Sequence, residues 1–297
     1  MTGMEKLTLL VDAGGTKTDW ALVADGEVFR YRTGGINLSV TGKERILATV
    51  IAAADQMGDR ASMVSDIRYY GAGVVGRRRI VELDAVLKNV FPGVSVAYGT
   101  DLLAAAEAGL ETRTGLVCIL GTGSNSGVYN GRSIVANIHP GGYVLGDEGS
   151  GSFIGKALLA DYIKDRLPSG IRQRLDDAYG LSYGKIVENV YMGGNPACYL
   201  ASFAPFVFSC RGDDYADSLI DSSLRSFMER SLLPYGDMEM FPAGLSGVEV
   251  AVAGSVGYEC MDELKCIGKE YGLVFSRFVK NPVDELAERL SSARDSR

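Results

Sequence analysis

The sequence predicts an α/β protein made of two similar halves, because short apolar runs alternate with helical periodicities and one motif pattern occurs twice. The chain has 297 residues, of which 46% are apolar and 23% are charged, a composition typical of folded domains. This length suits one large or two medium domains. It also allows roughly 75% of the unfolded chain's surface to be buried without disulfide or metal support.

Composition excludes several classes of protein. Lys and Arg total 30 against 37 Asp and Glu, a net charge of −7, so neither nucleic acid nor an anionic membrane is an expected partner. Five scattered cysteines without a C-x-x-C pair argue against a disulfide framework or zinc ribbon, and the single His139 cannot build a multi-histidine centre. Met1–Leu10 does not resemble a signal peptide, and the longest near-apolar stretch, Leu200–Ser209, is too short to span a bilayer. We therefore expect a cytoplasmic protein.

Apolar spacing and turn residues predict the elements of the first half. Leu7–Val11 and Trp20–Ala24 are predicted strands on either side of a glycine loop. Asp25-Gly26 predicts a hairpin turn, because glycine accepts the positive φ that a tight turn needs. The remaining predicted elements are strand Val28–Tyr31, helix Gly42–Met57, strand Ile67–Val75, helix Arg79–Val90, strand Val94–Tyr98 and helix Asp101–Gly109.

The opening pattern returns about 105 residues later. The apolar run Leu116–Leu120 ends in the glycine loop Gly121–Asn125, and Asn130-Gly131 separates Val128–Tyr129 from Ile134–Ala136. An order of strand, glycine loop, strand, turn and strand that occurs twice indicates an internal duplication. We therefore expect two similar domains that face each other, with each loop pointing into the cleft between them.

A long helical insertion distinguishes the second half. Residues 151–245 are predicted to be mostly helical, with segments at Phe153–Leu167, Tyr183–Met192, Ala197–Cys210 and Tyr215–Leu233. Strand Val248–Ala253 precedes Gly254–Gly257, and a helix then continues through Ile267. Asn281-Pro282 begins the last helix, because Asn caps well and Pro suits the first turn. The expected domains are 1–110, onto which a helix at about 283–297 packs back, and 111–282.

Two glycine loops have the features of anion-binding sites. In Asp12–Lys17 the glycines let backbone N–H groups approach an anion, Thr16 adds a hydroxyl and Lys17 a charge. Asp12 could hold Mg²⁺ through water, although a tight hairpin loop with an exposed aspartate explains the pattern equally well. Gly121–Asn125 offers the same features in the duplicated position, which predicts a nucleotide phosphate tail between the two domains.

Three further motifs allow both a functional and a structural interpretation. Asp101 is either a helix cap or a general base beside a substrate hydroxyl. Gly141–Gly151, with two acids among glycines and serines, cannot be a regular core element and suits sugar hydroxyls or a metal, unless it is a solvated loop. Gly254–Gly257 would let a base or ribose lie against the backbone, but small residues at such junctions are also common packing devices. Arg77-Arg78-Arg79 is interpreted as a solvated turn.

Together these motifs resemble those of the sugar kinase, Hsp70 and actin superfamily, and most closely the branch of N-acetylglucosamine kinase and the BadF/BadG-type ATPases. The resemblance covers nearly the whole chain in the right order. The quoted motifs are Asp12–Thr16, Asp101, Gly121–Asn125, Gly146–Gly151 and Gly254–Gly257. G-T-G-S-N together with G-D-E-G-S-G is specific to this branch.

The resemblance implies two RNase H-like (actin-like ATPase) domains with ATP between them, and it suggests a homodimer. It puts Asp12 at the Mg²⁺ site and makes Asp101 the catalytic base. It assigns the nucleotide to Gly14, Gly15, Thr16, Lys17, Thr122, Gly123, Gly254, Ser255, Val256 and Gly257. It assigns the sugar to Asn37, Asn125, Gly142 and Asp147, and also to Tyr143, where similar kinases often carry tryptophan.

The resulting hypothesis is an ATP-dependent kinase that phosphorylates an amino sugar, N-acetylglucosamine at its 6-hydroxyl. N-acetylmuramic acid and glucosamine remain alternative acceptors. A BadF-type activating ATPase would bridge an iron–sulfur cluster with closely placed cysteines, a pattern that we do not find. A sugar sensor or repressor would need a DNA-binding segment, and the chain starts only six residues before its first strand.

Overall fold

The computed structural model describes residues 7–74 and 76–295 and confirms the α/β class. The chain divides into two compact units. Unit 1 comprises the described residues up to Glu111 together with Asn281–Asp295, and unit 2 comprises Thr112–Lys280. In the described part of the chain, no helix has both the length and the apolar character needed to cross a bilayer.

Ten strands and thirteen α-helices are found within the described residues. The strands are β1 (Leu7–Ala13), β2 (Lys17–Ala24), β3 (Glu27–Gly34), β4 (Val64–Gly71), β5 (Ser95–Thr100), β6 (Thr114–Leu120), β7 (Ser124–Asn130), β8 (Ile134–Ile138), β9 (Glu249–Ala253) and β10 (Val274–Val279). The helices are α1 (Lys43–Met57), α2 (Arg77–Val90), α3 (Asp101–Leu110), α4 (Gly142–Leu145), α5 (Gly151–Ile163), α6 (Ser169–Tyr179), α7 (Tyr183–Tyr191), α8 (Pro196–Ala201), α9 (Ala204–Ser209), α10 (Asp214–Phe227), α11 (Ser255–Glu259), α12 (Met261–Glu270) and α13 (Pro282–Asp295).

Both units contain a five-stranded sheet with the same strand order. In unit 1 the order is β3-β2-β1-β4-β5, and in unit 2 it is β8-β7-β6-β9-β10. The first three strands of each unit form an antiparallel meander, and the last two run parallel to the first strand. The predicted internal duplication is therefore confirmed in the topology of the two sheets.

The hairpin turns form as the Asx-Gly pairs predict. Asp25 and Gly26 both have positive φ, 49° and 76°, which matches the right-handed twist of the strands that they join. Gly131 has φ 89°, and a Cβ there would lie 2.3 Å from the carbonyl oxygen of Thr112. Glycine is therefore required at position 131, both for its positive φ and because the Thr112 carbonyl leaves no room for a side chain.

Helices cover both faces of the unit 1 sheet. On α1 the buried residues Ile46, Val50, Ala53 and Met57 recur at helical spacing and pack into one apolar cluster with the sheet. On the other face, Val283 and Ala287 of α13 are fully buried with residues of β1, β2, β4 and α3. The carboxyl-terminal helix therefore completes the core of unit 1, although unit 2 precedes it in the sequence.

Several predicted elements differ from the structure. The strand predicted at Ile67–Val75 is β4, which ends at Gly71, and residue 75 lies outside the described residues. Helix Phe153–Leu167 ends at Ile163, and Ala197–Cys210 is divided into α8 and α9. The helix expected to run on to Ile267 breaks at Cys260 into α11 and α12. The Gly141–Gly151 loop contains the short helix α4.

Two elements were missed, and short or amphipathic patterns explain why. Helix α6 buries only Ile171 and Leu175, too few apolar positions for a helical period to stand out. Strand β10 has only six residues, of which Phe275 and Val279 are buried without a regular alternation, and it pairs parallel with β9. Such a short edge strand is recognised only from its partner.

Candidate active site

Three loops of unit 1 meet at one edge of its sheet. Ala13 of β1 pairs with Gly71 of β4, which pairs with Thr100 of β5. Because these strands are parallel, the segments that follow them leave the sheet on the same side. Asp12, the first glycine loop and Asp101 are thereby brought together.

The first glycine loop is a tight connection with an outward-facing amide. The Gly14 N–H donates to the carbonyl of Lys17 over 3.0 Å, whereas the Gly15 N–H has no protein acceptor within the described residues. A Cβ on Gly35 would lie 2.5 Å from the Gly15 carbonyl group, so the segment that leads to Asn37 packs directly on this loop. A free amide beside Thr16 and Lys17 suits an anion.

Carboxylates crowd around Asp12. Burial is the main cause that raises the pKa of Asp12, to about 7, and the charges of Asp101 and Asp19 add to it while Lys17 opposes it. Burial also raises the pKa of Asp101, whose Oδ1 accepts the Leu102 N–H over 2.8 Å. The cap of α3 is instead Thr100, which accepts from Leu103. Asp101 is therefore the first residue of α3 and not its N-cap, and its Oδ1 bonds one amide of the first turn.

Asp19 belongs to this group, and the sequence reasoning missed it. It lies directly opposite Asp12 in the β1–β2 pairing and is buried. Its two oxygens accept from Lys17 Nζ and Arg32 Nε, each over 2.6 Å. The available signal was an acid directly before the apolar run Trp20–Ala24 and two residues after Lys17, because a buried carboxylate requires cationic partners. Lys17, predicted to contact phosphate, is thus held beside the loop by Asp19.

Asn37 lies in a turn that α2 anchors. Its Oδ1 accepts the Ser39 N–H over 2.9 Å, and its carbonyl accepts the Thr41 N–H over 2.8 Å. Arg79 donates to the carbonyls of Leu38 and Thr41 over 2.6 and 2.5 Å. The interpretation of the three arginines as a solvated turn is therefore wrong for Arg79, because this guanidinium holds the Asn37 turn in place.

In the second glycine loop, in unit 2, the backbone carbonyls accept hydrogen bonds from other backbone N–H groups. Those of Gly121, Thr122 and Gly123 accept the N–H groups of Gly151, Ser152 and Gly121, over 2.8 to 3.0 Å. The N–H groups of Thr122 and Gly123 have no acceptor in the part of the chain that the structure describes. This loop therefore offers amide donors to an anion, as the first loop does at Gly15.

Asp147 packs against this loop. It is buried, with φ 58°, and its Oδ1 accepts the Ser124 N–H over 3.3 Å. A Cβ on Gly123 would lie 2.8 Å from Asp147 Oδ2, so a larger residue there would displace the Asp147 carboxylate. Burial is the largest cause that raises the pKa of the Asp147 carboxyl, and the charge of Glu148 adds to it.

Gly142 and Tyr143 begin the short helix α4. The Tyr143 carbonyl accepts from Lys156 Nζ of α5 over 2.7 Å, and Gly141 and Gly142 both have positive φ. The Asp147 N–H donates to the Pro140 carbonyl over 3.0 Å. The glycine-rich stretch is thus a folded loop that holds Asp147 in a fixed position.

Gly254–Gly257 forms the junction between β9 and α11. Gly254 has φ 102°, and a Cβ there would lie 2.5 Å from the Leu120 carbonyl oxygen, so this junction packs on the second glycine loop. The two motifs line one cavity of about 440 Å³ within unit 2, a size typical of small-molecule sites. Its lining comprises Gly121, Thr122, Gly151, Ala201, Ala204, Pro205, Phe208, Ser209, Ser255, Val256 and Glu259.

Comparisons with known proteins identify the family. No family model and no curated protein matches the chain. Among solved structures, a Porphyromonas gingivalis protein provisionally named N-acetylglucosamine kinase is 31% identical, with a TM-score of 0.88, over 97% of this chain and 99% of that one. The chain belongs to this N-acetylglucosamine kinase family. The resemblance found in the motifs is thereby confirmed.

More distant structures share the fold of the kinase family. One is a protein from Chromobacterium violaceum, also provisionally named N-acetylglucosamine kinase, with 23% identity and a TM-score of 0.68 over 96% of this chain and 98% of that one. Another is glucokinase from Balamuthia mandrillaris in complex with glucose, with 14% identity and a TM-score of 0.54 over 97% and 94%. Sugar kinases of this fold are therefore the structural relatives of the chain.

The residues of this kinase-family chain fit a magnesium ion better than a metal that needs an all-protein cage. The described residues contain no cluster of three or more His, Cys, Asp or Glu placed to hold a metal. Mg²⁺ requires fewer protein ligands, because it retains several waters and takes one or two carboxylates together with substrate phosphates. Asp12 supplies such an oxygen donor, in surroundings where crowded carboxylates favour a cation.

Within each unit the structure brings together the residues that the sequence singled out. Unit 1 gathers Asp12, the loop Gly14–Lys17, Asn37 and Asp101 at one sheet edge. Unit 2 gathers Thr122, Gly123, Asp147 and Gly254 through the contacts described above, with Asn125 on the adjoining strand β7. Asp19, Arg79 and Lys156 are the supporting residues that the motifs did not indicate.

Proposed function

We propose that this protein is an ATP-dependent kinase that phosphorylates the 6-hydroxyl of N-acetylglucosamine. One observation carries the proposal: in a chain of the N-acetylglucosamine kinase family, the half-buried carboxylate of Asp101 lies at the same sheet edge as a glycine loop with an unpaired amide, Gly15. Phosphoryl transfer requires a positioned base beside a phosphate site and little covalent chemistry from the protein.

The phosphates of ATP would be bound by backbone amides. The Gly15 N–H in unit 1 and the Thr122 and Gly123 N–H groups in unit 2 are the proposed donors, together with Gly14, Thr16 and Lys17. The adenosine would occupy the 440 Å³ cavity beside Gly254, Ser255, Val256 and Gly257. Phe208 supplies an aromatic side chain in that lining, and a purine can pack on such a ring.

Asp101 is the proposed catalytic base. Burial raises its pKa and thus makes its carboxylate a stronger proton acceptor than an exposed aspartate. It would accept the proton of the 6-hydroxyl as that oxygen attacks the γ-phosphorus and the bond to the ADP oxygen breaks. Asn37, Asn125, Gly142, Tyr143 and Asp147 are the proposed sugar contacts that hold the hydroxyl in line.

Asp12 would hold Mg²⁺, directly or through water. When bound, the ion supplies charge neutralisation for the β- and γ-phosphates. Among the chain's own residues, Lys17 opposes the rise in the pKa of Asp12, and Lys17 and Arg32 both pair with the neighbouring Asp19.

A coupled ADP-release screen of the purified protein against amino sugars tests the proposal. We expect N-acetylglucosamine to give the highest kcat/KM, with N-acetylmuramic acid and glucosamine as the competing acceptors. Mass spectrometry and NMR of the product should place the phosphate on the 6-oxygen. Acceptor-independent ATP hydrolysis, with no phosphorylated sugar from any member of the panel, would overturn the kinase assignment.

A further inference from the structure

Asn125 and its neighbour Asn137 form a hydrogen-bonded pair at the β7–β8 hairpin. Asn125 Oδ1 accepts the Ser126 N–H over 2.9 Å and Asn137 Nδ2 over 2.8 Å. Asn137 Nδ2 also donates to the Ser126 carbonyl oxygen over 2.5 Å. The two side chains and the Ser126 peptide group thus make one network.

Backbone groups fix the orientation of both amides in this network. A backbone N–H can only donate, so the Asn125 atom that faces the Ser126 N–H is the oxygen. A backbone carbonyl can only accept, so the Asn137 atom that faces the Ser126 carbonyl is the nitrogen. With its oxygen engaged by two donors, Asn125 has only its NH₂ group left to offer, and this group has no protein acceptor within the described residues.

We propose that Asn137 is a positioning residue, which holds the Asn125 amide so that its Nδ2 donates a hydrogen bond to an acceptor oxygen of the sugar. The proposal rests on the kinase function and on Asn125 as a sugar contact. It adds that Asn125 is the hydrogen-bond donor in that contact and that Asn137 fixes this orientation. No motif includes Asn137, which lies on β8 opposite Gly127.

Two other contacts support a fixed position for Asn137. The Ile138 N–H next to it donates to the Tyr235 hydroxyl over 2.8 Å, and Tyr235 is fully buried. The Ser126 hydroxyl lies 3.0 Å from the same Tyr235 oxygen. Both strands that carry the asparagine network are therefore held by one buried side chain, so Asn137 can orient Asn125 without much motion of its own.

Asn37 of unit 1, the other asparagine predicted to contact the sugar, also has its side-chain oxygen engaged and its NH₂ group available. Asn37 Oδ1 accepts the Ser39 N–H, which identifies this atom as the oxygen. Its NH₂ group likewise has no protein acceptor in the described chain. Each amide would therefore donate to the sugar, whereas the carboxylates Asp101 and Asp147 would accept. A sugar hydroxyl can serve both, because its oxygen accepts and its hydrogen donates.

Two substitutions at Asn137 and one control test the proposal in the full-length protein. Asn137→Ala removes the donor and should weaken N-acetylglucosamine binding about threefold to tenfold, the range expected for one neutral hydrogen bond. Asn137→Asp places an acceptor opposite Asn125 Oδ1, so the Asn125 amide should turn its nitrogen inward and bind the sugar more weakly still. Asn189→Asp is the matched control, because Asn189 Nδ2 also donates to a backbone carbonyl, that of Lys185, over 2.8 Å on an exposed helix.

The readouts separate positioning from general loss of structure. We expect a higher sugar Kd by calorimetry and a higher sugar KM, with the KM for ATP and the thermal unfolding temperature close to those of the wild type. In an Asn125→Ala background, Asn137→Ala should have no further effect on the sugar Kd. The near-isosteric Asn137→Asp provides a second variant if the alanine variant folds poorly.

Defined results would overturn the inference. If Asn125→Ala weakens sugar binding while both Asn137 variants bind like the wild type, Asn137 has no positioning role and the kinase proposal survives. Additive effects of the two alanine substitutions would also refute the coupling. If the wild type neither binds nor phosphorylates any amino sugar, the proposed function fails, and the inference fails with it.

Discussion

At the level of single residues, the carboxylate of Asp101 carries the proposed chemistry. Asp101→Asn keeps an oxygen for the Leu102 N–H but removes the base, so we expect kcat to fall by about 10²–10⁴-fold. Sugar and ATP affinities should change little, because the side chain keeps its size. Single-turnover phosphorylation and calorimetric binding measure the two quantities separately. Turnover close to that of the wild type would remove Asp101 from this role.

Asp12 gives the protein a pH-dependent stability. Its pKa is raised from 3.8 to about 7 in the folded chain, so folding favours the protonated carboxyl. Its contribution to stability is fully present below about pH 4 and is lost as the pH rises through 7. We therefore expect Asp12→Asn to raise the melting temperature at pH 8 and to have a smaller effect at pH 5. Thermal unfolding of both proteins in EDTA at pH 5 and pH 8 measures these melting temperatures. An equal difference between variant and wild type at the two pH values would contradict the prediction.

At the level of elements, the start of α2 controls the turn that carries Asn37. Arg79→Lys leaves one ammonium group that cannot reach the Leu38 and Thr41 carbonyls together in the geometry of a guanidinium. We expect the sugar KM to rise roughly tenfold, with little change in kcat or in the KM for ATP. Steady-state kinetics with each substrate varied in turn test this prediction.

A neighbouring arginine supplies the control for that experiment. Arg78 lies on the same helix and also pairs with Glu82. Its side chain is 91% exposed, so Arg78→Lys should behave like the wild type. Equal effects of the two substitutions would show that charge near Glu82, rather than the anchored turn, determines sugar affinity.

At the level of the whole molecule, unit 1 depends on a helix from the far end of the chain. Val283 of α13 is fully buried in its core, so Val283→Ala should lower the free energy of unfolding of unit 1 by about 2 kcal/mol. Trp20 is the only tryptophan of the chain and is buried in unit 1, so its fluorescence in urea reports this unit. Val274→Ala, on a half-exposed strand residue of unit 2, should leave that transition unchanged.

The sequence predicts those parts of the site whose signal is local. The glycine loops, the Asx-Gly turns and the acids Asp12, Asp101 and Asp147 stand out by residue type and spacing, because glycines and acids directly after apolar runs mark turns and strand ends. The supporting residues Arg79 and Asn137 escaped this reasoning. Their partners lie 38 to 41 and 11 to 12 positions away, and an arginine or asparagine outside the apolar pattern is ordinary in a sequence.

The sequence by itself determined the α/β class and the duplication, and it singled out the two glycine loops, since each of these depends on periodicity or on residue type and spacing. Only the tertiary structure decided that α13 completes unit 1, that Asp19 faces Asp12, and that Asn125 presents a donor. The physical reason is that strand register and helix docking bring distant residues into contact. The direction of a hydrogen bond depends on those contacts, and no local pattern records it.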